Sequence, residues 1–248
     1  MAKFNLCTIR PKGFLHASAF DDVKSSLAWA LSALGHEVLL TENTFSASAS
    51  TNIIFGAELL SARVTPADSI LYNMEQPSHP SLAPNGAFIS LAWGHRVWDF
   101  SARNVARWRD MGLDAIHVPI GYTPNLTRIP DNGEYDWDFC IFAWMTPRRL
   151  RIIQDLRNAG LKVFASDCCY GGARDNILSR SKAALNVHHD GRSMFEIVRV
   201  SYLLANGKFV ISEESSDDTD YPDLREALIL APYDKLVDTC VEFIKHGL

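Results

Sequence analysis

No stretch of this chain holds the ~18 to 20 consecutive apolar residues of a membrane span. Its first residues, Met1-Ala2-Lys3-Phe4-Asn5, carry neither the apolar core nor the cleavage site of a secretory leader. Cysteine is scarce: Cys7, Cys140, Cys168, Cys169 and Cys240 are odd in number and irregular in spacing, which argues against a disulfide framework. Cys168 and Cys169 are adjacent and poorly placed to bridge each other, and no C-x-x-C pair points to zinc. A reducing cytoplasm is the expected compartment. No G-x-G-x-x-G follows the first expected strand, which disfavours a dinucleotide oxidoreductase. Short-period repeats, coiled-coil heptads and low-complexity tracts are missing too.

What is there is an ordinary globular composition. The 248 residues are 47% apolar and 21% charged, enough for one large domain or two small ones with cores of their own. The net charge of −5 is unevenly spread. Residues 1–130 hold ten basic and ten acidic groups, residues 131–248 fourteen and nineteen. Within the neutral half, Trp93 to Arg109 gathers Arg96, Arg103, Arg107 and Arg109 against Asp99 alone, with Trp93, Trp98 and Trp108 interleaved. Such a segment reads as a basic, aromatic surface for a polyanion or a nucleobase. The favoured reading is the plainer one, an amphipathic helix with a solvated arginine face.

Short apolar runs alternate with helical periodicity along the whole chain. Strands are expected at 4–9, 37–40, 52–55, 69–74 and 115–120, and helices at 19–34 and 101–111, with a Pro, Ser, Asn and Gly-rich loop at 77–87. Residues 122–134 break the pattern and read as a linker between a domain at 1–121 and one at 135–248. The second series runs strand 137–144, helix 147–159, strand 162–165, helix 174–181, strand 183–187, a helix from about Phe195, strand 209–212, strand 228–230 and helix 234–246. Alternation of this kind predicts an α/β protein of two Rossmann-like parallel-sheet domains facing a cleft.

In open parallel sheets, ligands bind beyond the carboxyl ends of the strands, where helix N-termini attract anions. The second half places polar groups there. Thr146-Pro147-Arg148-Arg149 follows its first strand, and Tyr170-Gly171-Gly172-Ala173-Arg174-Asp175 its second. His188, Asp190, Gly191 and Ser193 precede a helix whose first turns hold Glu196 and Arg199. Those two are three apart and share a face. The carboxylate can accept ribose hydroxyls and the guanidinium can fork onto phosphate; the alternative is a surface ion pair. His188 and His189 point to opposite sides of a strand end, so no two-His metal site is expected. Ser216-Asp217-Asp218-Thr219-Asp220 has D-x-D spacing but reads as a solvated turn. No metal site is expected.

The run Glu196 … Leu204-Ala205-Asn206-Gly207-Lys208-Phe209-Val210-Ile211-Ser212 resembles the carboxylate-bearing helix and Ala-x-Gly-x-Pro-Val-Val ending of the donor domain in GT-B type glycosyltransferases. Phe209 stands where the family has proline. A second glutamate eight residues from the first, common in the family, is absent. Tyr72-Asn73-Met74-Glu75-Gln76 and Trp98-Asp99-Phe100-Ser101 are similar to segments of small bacterial and phage-associated transferases.

The resemblance implies a minimal GT-B architecture and a metal-independent, inverting transfer from a nucleotide-diphosphate sugar, UDP-glucose by default, with no other cofactor. Donor contacts would come from Arg148, Arg149, Arg174, His188, Ser193, Glu196 and Arg199. Asn73, Gln76, Trp98, Asp99 and Arg96 would lie on the acceptor side, and Glu75, ahead of His16, would act as base. The implied acceptor is 5-hydroxymethylcytosine in DNA, flipped from the duplex. A surface polysaccharide or a protein side chain are the other acceptors, and a non-catalytic nucleotide-binding module is the other class. A monomer or weak dimer is expected.

Overall fold

The strand segments are short and apolar on both faces: Ile53, Ile54 and Phe55 have no exposed surface, nor do Phe139 and Cys140. Residues of that kind suit a parallel sheet covered by helices on either side. The computed structural model describes residues 1–60, 65–75, 82, 86–191 and 194–247. Among them, eleven strands form two sheets, and every pairing is parallel. This is an α/β protein of two parallel-sheet units, Met1–Asn125 and Leu126–Leu248.

The first unit contains β1 (Lys3–Thr8), α1 (Asp21–Ala33), β2 (Glu37–Glu42), β3 (Thr51–Phe55), β4 (Ile70–Asn73), α2 (Ala87–Ala92), β5 (Arg96–Asp99), α3 (Ala102–Asp110) and β6 (Ala115–His117). Its sheet runs β2-β1-β3-β4-β5-β6. The second contains β7 (Trp137–Phe142), α4 (Pro147–Asn158), β8 (Val163–Ser166), α5 (Gly171–Ser179), β9 (Ser181–Asn186), α6 (Ile197–Ala205), β10 (Phe209–Glu213), α7 (Pro222–Glu226), β11 (Ile229–Ala231) and α8 (Leu236–His246). Its sheet runs β11-β10-β9-β7-β8. Numbered within its own unit, each sheet has the order 2-1-3-4-5, the first with a sixth strand added. Strand order therefore reverses between β1 and β3, and again between β7 and β9. Those two crevices are where this class of sheet accepts ligands.

Each unit has its own core. Leu71, Phe88, Val97 and Trp108 pack together in the first, and Phe139, Ile141, Leu156 and Phe243 in the second. The division between units falls within residues 122–134, and that segment is tied down at both ends. Thr123 Oγ1 donates to Ser26 Oγ at 2.9 Å and Asn125 Nδ2 to Ser25 Oγ at 2.8 Å. Further on, Asn206 Oδ1 accepts from the backbone N–H groups of Arg128 and Ile129 at 2.8 and 2.9 Å.

Three expectations need correction. The helix expected to begin at Ala19 is two elements, a 3-10 turn over Leu15–Phe20 and then α1, whose first turn carries Asp21 and Asp22. The segment from Trp93 to Arg109, read as a basic aromatic surface or an arginine-faced helix, contains the unexpected strand β5 ahead of α3, the helix expected at 101–111, and Trp108 lies in the core with no exposed surface. Its indole N–H donates to Asp99 at 2.7 Å, a buried polar pairing that periodicity does not reveal. The Ser216–Asp220 segment is not a solvated turn, because Asp217 and Asp218 are buried and Asp217 accepts from the Phe195 backbone N–H at 2.8 Å. Most of the loop expected at 77–87 lies outside the described residues.

Candidate functional site

In the second unit, Thr146 caps α4 by accepting from the Arg149 N–H at 3.3 Å, and Pro147 sits in the first turn. The cap fixes where the next two arginines go. Arg149 turns inward and is buried. Its Nε donates to Val187 O at 2.7 Å, Nη1 to Trp144 O at 2.9 Å and Nη2 to Glu196 Oε1 at 2.8 Å. It therefore ties the loop after β7 to the loop after β9 and to the start of α6. Burial, and after it the neighbouring Arg148 charge, pull its pKa down to about 10.

Arg148 takes the other direction. Its guanidinium forks onto both Glu213 oxygens and lies 3.7 Å from the centre of the Tyr233 ring. Glu213, at the end of β10, also accepts from the His188 N–H at 3.0 Å. Arg199 donates to Asn186 Oδ1 at 2.7 Å and pairs with the second Glu196 oxygen. Glu196 is the residue preceding α6, not a residue of its first turn, and both its oxygens face arginines. This corrects the expectation of a carboxylate open to a ribose.

His188 lies between these pairs. Its side chain is 3% exposed, its Nδ1 is 4.0 Å from Glu196, and neither ring nitrogen has a hydrogen-bond partner among the described residues. Burial, opposed by Glu213 and reinforced by Arg148, holds its pKa below the usual imidazole value. Three guanidiniums against two carboxylates leave this group with one surplus positive charge. It stands at the β7–β9 reversal, an arrangement suited to an anion.

Arg174 belongs to another cluster. It pairs with Asp175 at 3.0 Å and stacks on the Tyr202 ring at 3.8 Å, while Arg128 and the Tyr202 hydroxyl also bind Asp175, at 2.9 and 2.7 Å. Ser193 lies outside the described residues.

In the first unit, the carboxyl ends of β4 and β5 carry a buried polar brace. Asp99 accepts from Asn73 Nδ2 at 2.7 Å, Trp108 Nε1 at 2.7 Å, the Ser101 N–H at 2.8 Å and Asn104 Nδ2 at 3.2 Å. Asn73 closes a local turn with Glu75, donating to its carbonyl at 3.0 Å and accepting from its N–H at 3.2 Å. Asn73 and Asp99 have no exposed surface, so their work is to position half-buried Glu75. Trp98 is half-buried edge-on to Tyr72. Arg96 is not on this side: it begins β5, at the opposite end from Asp99, and pairs with Asp114 at 3.2 Å. His16 lies half-buried in the 3-10 turn after β1, edge-on to Phe14. Gln76 is outside the described residues.

The sequence reading missed Glu58. It lies in the 3-10 turn just after β3, the strand paired with β4, and burial followed by the nearby Glu75 charge raises its pKa to about 7. A carboxyl titrating near neutrality at a strand end is a common feature of acid–base sites. The signal available was an acidic residue three positions beyond an apolar strand, Phe55-Gly56-Ala57-Glu58.

Fold and site together define an α/β protein with a cluster of three arginines at the strand ends of one unit and the carboxyls of Glu58 and Glu75 at strand ends of the other. No family model matches the chain. It is 30% identical over 194 residues to "Uncharacterized protein L140" of Acanthamoeba polyphaga mimivirus, covering 72% of this chain and 60% of that protein. A second mimivirus protein, "Uncharacterized protein L138", is 31% identical over 140 residues, 52% of this chain and 16% of that protein. The chain thus spans less than two thirds of either relative. Among solved structures, a D-isomer specific 2-hydroxyacid dehydrogenase from Lactobacillus delbrueckii ssp. bulgaricus aligns at 9% identity over 98% of both chains with a TM-score of 0.23, a likeness too slight to carry an argument.

Proposed function

We propose that this protein is a glycosyltransferase whose second unit holds the diphosphate of a nucleotide sugar, UDP-glucose by default. The observation that carries the reading is the surplus guanidinium charge of Arg148, Arg149 and Arg199 over Glu196 and Glu213 at the β7–β9 reversal. In the reaction, the acceptor oxygen attacks the anomeric carbon with inversion. The bond to the phosphate oxygen breaks, the proton passes to a base, and arginine charge offsets the departing diphosphate. Glu75 is the favoured base and His16 the alternative, with the Glu58 carboxyl near enough to feel the Glu75 charge. Arg148 and Arg199 are the donor contacts this reading favours. Arg149, fully engaged with protein groups, positions them.

Burial of Trp108 removes one member of the surface that favoured a DNA acceptor. The acceptor is accordingly left as a hydroxyl, with 5-hydroxymethylcytosine DNA, a polysaccharide and a protein side chain as arms of the test. One observation favours the second reading, a nucleotide-binding module without turnover: Arg148, Arg149 and Arg199 already have carboxylate partners within the chain.

A thermal-shift panel of nucleotides and nucleotide sugars, followed by donor hydrolysis and transfer assays on the three acceptors, separates these readings. The transferase reading expects stabilisation by UDP and UDP-glucose that Arg148→Ala weakens, slow donor hydrolysis, and transfer at least ~100-fold slower in Glu75→Gln. Stabilisation without hydrolysis or transfer identifies the module. No stabilisation by any nucleotide removes both.

A further inference from the structure

All strands of the first sheet point the same way, so it has a second edge, opposite Asn73, Glu75 and Asp99. There the starts of β3, β4 and β5 and the loop entering β6 line a cavity of about 610 Å³. That size falls within the ~300–1,000 Å³ typical of small-molecule sites.

Two features of its lining point to a ligand. Trp93 is 56% exposed, an unusual state for so large an apolar side chain. An edge of its ring lies near Gly112, where a β-carbon would stand 3.7 Å from Cη2. Arg96 and Asp114 meet at 3.2 Å with their side chains 55% and 65% exposed, setting a fork of donors beside a pair of acceptors. His95 stiffens the wall, with Nε2 2.8 Å from Thr65 Oγ1 and Nδ1 3.0 Å from Leu91 O.

Charge narrows the class of ligand. Asp68 also lines the cavity, so Asp68, Arg96 and Asp114 sum to −1, which opposes a phosphate or any other anion. A flat apolar platform beside adjacent donors and acceptors suits a neutral ring with an apolar face and a hydroxylated rim.

We propose that this cavity is a carbohydrate-binding subsite, in which Trp93 carries the apolar face of a neutral pyranose while Arg96 and Asp114 hydrogen-bond its hydroxyls. The subsite stands apart from the transferase reading and requires no turnover.

The test is fluorine NMR of the full chain labelled with 5-fluorotryptophan, the Trp93 line being assigned with Trp93→Phe. Methyl β-D-glucopyranoside, N-acetylglucosamine and maltotriose are titrated in, with adenosine as a planar non-sugar ring and inorganic phosphate as an anion. At least one sugar should shift the Trp93 line saturably. By calorimetry its affinity should fall about tenfold or more in Trp93→Ala and severalfold in Asp114→Asn, and Arg148→Ala should leave it unchanged. The proposal is overturned if no sugar gives a saturable shift, if adenosine or phosphate binds here as tightly as the sugars, or if Trp93→Ala binds sugar like the unaltered protein.

Discussion

Arg149 and Glu196 are 47 residues apart in the sequence and meet at 2.8 Å in the interior of the second unit, joining the start of α4 to the start of α6. With Val187 O and Trp144 O as its other acceptors, the Arg149 guanidinium occupies the place where an anion would otherwise be sought. A buried, fully engaged arginine braces a site; a partly exposed one such as Arg148 can reach a ligand.

Arg149→Met is expected to destabilise the second unit by about 3 to 5 kcal/mol, because it leaves the Glu196 charge buried beside one partner instead of two. The double variant Arg149→Met/Glu196→Gln should recover part of that loss. Urea unfolding of the single and double variants measures it, and equal losses in both would refute the buried-pair account.

Glu58 makes the first unit pH-sensitive. Its proton is held in the folded chain up to about pH 7 and released in the unfolded chain near 4.5. The stabilisation that this proton supplies is complete at low pH and is lost as the pH rises through about 7. Unfolding free energy should therefore fall by about 2 kcal/mol more in the unaltered protein than in Glu58→Gln between pH 5 and pH 8. Carbon NMR of the Glu58 carboxyl should show a midpoint near 7, moved downward in Glu75→Gln.

His188 acts in the opposite sense. Its pKa is depressed by burial, then raised by Glu213 and lowered by Arg148 and Arg149. Stability that depends on the neutral ring is present above pH 6.5 and lost as the pH falls below it. His188→Gln should flatten the stability profile of the second unit between pH 7 and pH 5. Parallel profiles for the two proteins would show that the ring does not titrate in a buried setting.

Gly56→Ala tests the crevice at the β1–β3 reversal. Gly56 has φ +74°, and a β-carbon there would lie 2.8 Å from Phe20 Cε2 and 3.2 Å from the Ile9 carbonyl oxygen. Left-handed backbone costs about 1–2 kcal/mol for a residue with a side chain, and the fixed carbonyl adds to it. A loss of 2 kcal/mol or more is expected by urea unfolding, whereas Gly172→Ala, which meets nothing within 4 Å at a glycine without a positive φ, should cost far less.

Much of the strand and helix series was legible because short apolar runs and 3.6-residue periodicity report burial directly. Arg96–Asp99 was not legible: a four-residue strand with Val97 as its one fully buried apolar member carries too little pattern, and Asp99 enters the interior only because Asn73, Asn104 and Trp108 arrive from elsewhere. Of the candidate site, the sequence placed Arg148, Arg149 and His188 at strand ends, since a basic pair after Thr146-Pro147 marks a helix start. It could not separate their roles, because the inward turn of Arg149 depends on acceptors 38 and 47 residues away.

By itself, then, the sequence determined that this is a parallel α/β chain with polar groups at its strand ends, since backbone pairing and apolar pattern act over a few residues. Only the tertiary structure decided which charges cancel. It paired Arg149 with Glu196 and Arg148 with Glu213, brought Glu58 beyond the end of β3 near Glu75 beyond the end of β4, and opened a cavity around Trp93 at the other edge. Electrostatics and burial depend on distance in space, and residues far apart in the chain meet only once the sheets have formed.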